Sequence, residues 1–74
     1  MNNEHKLALL RELLDDLCNA SNTHCDATRS LVAIRDAFSA GNATIENLAD
    51  IERYRERKFA DYKQARQDII ALLN

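Results

Sequence analysis

The chain has 74 residues, 10 of them basic and 12 acidic, and a formal net charge of −2 with histidine neutral. A chain this short forms one small domain, residues 1–74, and buries only about 60% of its unfolded surface, so a lone core supplies roughly 3–5 kcal/mol. That balance excludes a multidomain machine, makes nucleic acid the weaker choice of main partner, and leaves no apolar run near the roughly 18 residues that cross a bilayer.

Proline is absent, the only glycine is Gly41, and alanine with leucine makes up over a quarter of the chain. Strand formers are sparse, so the composition points to an all-α protein. Two cysteines cannot build a disulfide framework, and the start "MNNEHK" lacks an apolar leader core. The expectation is free thiols and a cytoplasmic location.

The first segment, "EHKLALLRELLDDLC", is strongly helical in pattern. Leu7, Leu10, Leu14 and Leu17 recur at alternating spacings of three and four, and Leu9 and Leu13 widen the stripe. So broad a stripe suggests contacts on two sides. Asn2 or Asn3 can cap the start, and Glu4 suits the positive end of the helix dipole.

The stretch "CNASNTHCDAT", Cys18 to Thr28, admits two readings. As a loop, it would make Thr23 the N-cap of a new helix, with Asp26 at the third position. As helix, it carries the heptad on through Ser21, His24, Thr28, Leu31, Arg35 and Phe38, and the apolar stripe returns in phase at Leu31, Ile34 and Phe38. Whether Asn19–Thr23 is helix or turn stays open at this point. Phase and length favour an antiparallel helical hairpin of two long helices, the first continuous or kinked near Asn22. The alternative is a three-helix bundle.

"FSAGNAT" reads as a helix end, a glycine cap at Gly41, and a new N-cap at Asn42 or Thr44. The second helix follows as "IENLADIERYRERKFADYKQARQDIIALLN". Its seam is expected at Leu48, Ile51, Arg55, Lys58, Tyr62, Ala65, Ile69 and Leu72, with Ile45, Phe59 and Leu73 flanking. Folded antiparallel, the seam sets Ser21, His24 and Thr28 opposite Tyr62, Lys58 and Arg55. Polar groups at such positions fix register and oligomeric state and lower stability.

No catalytic or metal set emerges. Cys18 and Cys25 lie two turns apart on one helix, about 10 Å, too far for one tetrahedral ion, and neighbouring His24 points elsewhere. Ser21 or Cys25 beside His24 could suggest a nucleophile, but no glycine turn or strand-to-helix elbow supplies an oxyanion hole. The cysteines read as small packing residues, and no cofactor is expected. "ERYRERKFADYKQAR" is the only basic cluster. Arg53, Arg57 and Lys63 could contact phosphates or a protein partner, yet Glu52, Glu56 and Asp61 interleave with them. The acidic face of Glu12, Asp15 and Asp16 speaks against a membrane surface.

Two helices alone close no core. Leu9, Leu13, Ile70 and Leu73 are expected on the outside of the open end. Two hairpins should therefore pair into a four-helix bundle, or this surface should dock on a different protein. The expected function is a non-enzymatic interaction module, a regulator, adaptor or inhibitor acting through a helix face. The alternative is a nucleic-acid-binding regulator using the basic stretch.

Overall fold

The computed structural model describes residues 3–74, which form two α-helices, α1 (Asn3–Ser39) and α2 (Ile45–Leu73). They pack side by side and antiparallel into a rod of 58 × 14 × 12 Å. The three-helix alternative does not hold, because α1 runs unbroken through Asn22. Asn3 already belongs to α1, and the expected cap at Asn2 lies outside the described residues.

The polar stretch stays helical, with its threonine hydroxyls bonded inside the helix. Thr23 Oγ1 donates to the Asn19 carbonyl at 2.8 Å, and Thr28 Oγ1 donates to the His24 carbonyl at 3.0 Å. Bonding to the carbonyl four residues back keeps a threonine within the helix at a slight cost in stability, so the packing of Ala20, His24 and Ala27 against α2 is what holds the stretch helical. Thr23 is thus an interior helical residue and caps nothing.

The turn is built as glycine chemistry dictates. Gly41 takes φ +80°, the left-handed region open to a residue without Cβ. Its N–H donates to the Phe38 carbonyl at 3.0 Å, and Asn42 N–H donates to the Ala37 carbonyl at 2.8 Å. These two bonds form the Schellman closure of a helix C-terminus. Thr44 then caps α2. Its hydroxyl accepts from Asn47 N–H at 3.1 Å, while Asn47 Oδ1 accepts from Thr44 N–H at 3.0 Å. This is a capping box with asparagine in the usual glutamate or glutamine place.

The seam of α2 is the row read from spacing: Leu48, Ile51, Arg55, Lys58, Tyr62, Ala65, Ile69 and Leu72 are all half-buried. The seam of α1 is turned from the expected one. Leu10, Leu17, His24 and Leu31 face α2, but their companions are Leu13, Ala20, Ala27 and Ile34. Leu7 and Leu14, expected on the seam, are 57% and 48% exposed, and Arg35 is exposed as well. The cause is side-chain size. The row with Ala20 and Ala27 lets the two backbones approach, whereas the alternative row carries Ser21, Thr28 and Arg35. At the closest approach Ala27 is 1% exposed and Leu31 3% exposed, and these are the only buried side chains among the described residues.

The helices differ in length, 37 residues against 29. Stepping outward from the Arg35–Glu52 and His24–Tyr62 contacts carries α1 past the C-terminal end of α2. Roughly the first two turns of α1, about 12 Å at 1.5 Å per residue, project beyond it.

Candidate interaction face

One hydroxyl joins the helices at mid-rod. Thr28 Oγ1 spends its proton on the His24 carbonyl, so its lone pairs remain to accept the Arg55 Nε–H at 3.0 Å. Arg55 is thereby fixed on the seam without a carboxylate. A second tie crosses nearer the turn, where Arg35 and Glu52 approach to 3.9 Å with both side chains largely in water. An exposed pair at that distance contributes little energy, but it marks which surfaces meet.

His24 supplies the third contact. Its ring stacks on Phe59 with centroids 5.1 Å apart and lies 6.3 Å from Tyr62, which is itself 6.4 Å from Phe59, so the three rings form a compact triangle. Its Nε2 is buried with no hydrogen-bond partner. Of the expected polar seam, Ser21, His24, Thr28, Arg55, Lys58 and Tyr62 are all half-buried. Lys58 escapes the seam by snorkelling, its Nζ 3.8 Å from Asp61 and 5.3 Å from the Tyr54 ring centroid.

The Arg35–Glu52 pair identifies a second surface. Arg35 closes the heptad row Leu7, Leu14, Ser21, Thr28, Arg35, and Glu52 lies in the row Ile45, Glu52, Phe59, Arg66, Leu73. Heptad positions stack along one side of a helix, so a contact between the rows puts both on one side of the hairpin. This face is apolar at its ends. Leu7 and Leu14 lie on α1, with Val32 four residues beyond Thr28, and all three are exposed. On α2, Ile45, Phe59 and Leu73 are exposed, as is Ile70, four residues beyond Arg66.

Of the open-end surface expected from sequence, Ile70 and Leu73 are exposed on this face, whereas Leu13 is half-buried on the seam and Leu9 half-buried beside it. Leu7 and Leu14 take the outward places expected of Leu9 and Leu13, because α1 is turned toward its alanine row. The sequence signal for the face was the regular sevenfold spacing from Ile45 to Leu73, which extends the flanking positions beside the α2 seam.

The basic cluster does not converge. Arg53 pairs with Asp50, and Arg57 lies 5.9 Å from the Tyr54 ring centroid. Lys63 sits over Phe59, 4.7 Å from the centroid. Arg57 and Lys63 are six residues apart, about 120° around the helix. Cys18 and Cys25 are exposed free thiols, and no three His, Cys, Asp or Glu side chains among the described residues gather as a metal site. The described surface has no pocket, and neither helix is long and apolar enough to cross a membrane. Comparison with protein-family models, curated proteins and solved structures found no match.

Proposed function

We propose that the chain is a small cytoplasmic protein–protein interaction module, a regulator, adaptor or inhibitor, that works by presenting the face bordered by Leu14 and Leu73 to other helices. The observation that carries this reading is the mismatch between inside and outside. Among the described residues only Ala27 and Leu31 are buried, while leucine, isoleucine, valine and phenylalanine side chains are exposed along both helices of one face. Exposed apolar side chains gathered at both ends of one face, with Phe59 between them, support a contact surface. Two more helices laid on it complete a four-helix bundle. Exposed free thiols at Cys18 and Cys25 fit a reducing compartment. Nucleic-acid binding has less support, because Lys63 lies about 120° around the helix from Arg57 and Arg53, Arg57 and Lys63 each lie against a carboxylate or an aromatic ring.

The test is the double variant Leu14→Glu with Leu73→Glu. Both side chains are about half exposed in the single chain, so helicity by circular dichroism should persist. Cross-linking inside host cells should give adducts with the wild type that vanish with the variant. Identical adduct patterns for the two proteins, or none for either, would reject the reading.

A further inference from the structure

We infer that the occupant of this face is a second copy of the chain, packed antiparallel about a two-fold axis that passes beside Phe59. The inference rests on the reading above, that the face binds protein, and adds the partner, orientation and register.

The argument is the order of residues in the outer row of α2. Ile45, Glu52, Phe59, Arg66 and Leu73 are evenly spaced by seven. Read from either end, the row is apolar, charged, aromatic, charged, apolar, and the two charges are opposite. At 1.5 Å per residue the charges stand about 10 Å from Phe59 and the apolar ends about 21 Å from it. Turning the row end for end onto a copy of itself therefore sets Glu52 against Arg66 of the second copy, and Ile45 against its Leu73. Phe59, 43% exposed, meets its own equivalent. The neighbouring row repeats the pattern, with Glu56 three residues before Phe59 and Lys63 four after. Each off-axis contact occurs twice and the Phe59 contact once, as a self-complementary two-fold interface requires. Charge order of this kind fixes orientation and register more than it adds affinity.

The opposite orientation, with both turns at one end, lays α1 of one copy over α2 of the other. His24 is level with Phe59. Lys63 and Arg66 would then stand near Ser21 and Cys18, where the facing rows offer no carboxylate. The size also fits. The α1 overhang of about 12 Å stays outside a pairing centred on Phe59, so the facing part of the 58 Å by 14 Å rod presents roughly 640 Å², at the low end of the share that each partner brings to a standard stable interface.

The test is sedimentation velocity on the full chain across concentration, with charge exchange and site-specific cross-linking. The wild type should be a dimer. Glu52→Arg and Arg66→Glu should each weaken it roughly ten-fold, because two symmetry-related pairs turn repulsive, and the two together should restore it to within about two-fold. In a Cys18→Ser, Cys25→Ser background, Phe59→Cys should oxidise readily to a disulfide-linked dimer, whereas Leu73→Cys should stay reduced. A wild type that remains monomeric overturns the pairing. So does a charge-exchanged protein weaker than either single variant, or a Leu73→Cys protein that cross-links. A monomeric wild type still leaves the face open to a different protein, and the cellular adducts decide that question separately.

Discussion

Thr28 donates to the His24 carbonyl and accepts from Arg55, so a single oxygen holds the inter-helix register at mid-rod. Thr28→Val keeps the shape and removes the oxygen. It should lower stability to urea by about 1 kcal/mol, the net worth of such a bond plus the half-buried guanidinium left without its acceptor, and Thr28→Ser should recover most of the loss. His24 is the opposite case. Its Nε2 is buried without a partner, so the ring bears a desolvation cost that its stacking must offset. His24→Phe keeps the stack with Phe59 and removes the orphan nitrogen, and should raise stability in the same assay by about 1 kcal/mol. Spacing alone marked both residues as polar seam positions and paired Thr28 with Arg55. The stack on Phe59 was hidden, because Phe59 was visible only as a flank of α2, and the rotation that brings His24 over it is set by Ala20 and Ala27.

At the scale of elements, the turn is where sequence is most explicit. Gly41 is the only glycine, and it occupies the one left-handed position among the described residues. A Cβ there would meet nothing within 4 Å, so Gly41→Ala tests backbone strain with no steric clash. It should cost about 1–2 kcal/mol in thermal or urea unfolding, the penalty for an L-residue in that region. Thr44→Ala should cost about 1 kcal/mol through loss of the N-cap, and Thr44→Asp should cost much less. The α2 seam was legible residue by residue because one row of apolar and long side chains stands out against charge. For α1, two rows of equal spacing share Leu10, Leu17, His24 and Leu31, and leucines border both. Past Leu14 the second row turns polar at Ser21, Thr28 and Arg35, while Leu13, Ala20, Ala27 and Ile34 stay apolar, so hydropathy and close packing against small residues both favour the row that α1 uses, and only the leading leucines Leu7 and Leu14 point to the other. Continuity through Asn22 was likewise ambiguous, because Thr23 beside Asp26 resembles a helix start until its hydroxyl is seen to bond to Asn19.

At the scale of the molecule, a rod 12 to 14 Å thick has almost no interior. Helices this long gain most of their stability from packing of an apolar face and less from intrinsic propensity. A hairpin that buries two side chains is therefore expected to depend on what covers its outer rows. If the covering is a second copy, the melting temperature should rise with protein concentration by mass action, and Leu14→Glu should abolish that dependence. A concentration-independent melting temperature in the wild type, read by circular dichroism, would count against self-pairing. Composition and periodicity were enough to reveal two helices, their turn and one seam. The α2 half of the outer face followed from the same spacing, whereas its α1 half depends on the rotation that turns Leu7 and Leu14 outward in place of Leu9 and Leu13.

The overhang of α1 has a practical corollary. The turns before Leu10 lie past the last layer that α2 can brace, so they rely on local helix propensity, which is marginal for so short a piece. Amide hydrogens there should exchange with deuterium far faster than those around Ala27. Any sequence joined ahead of Glu4 would ride on a stalk held clear of the paired shaft, which makes this end a good site for an affinity tag or a fluorophore.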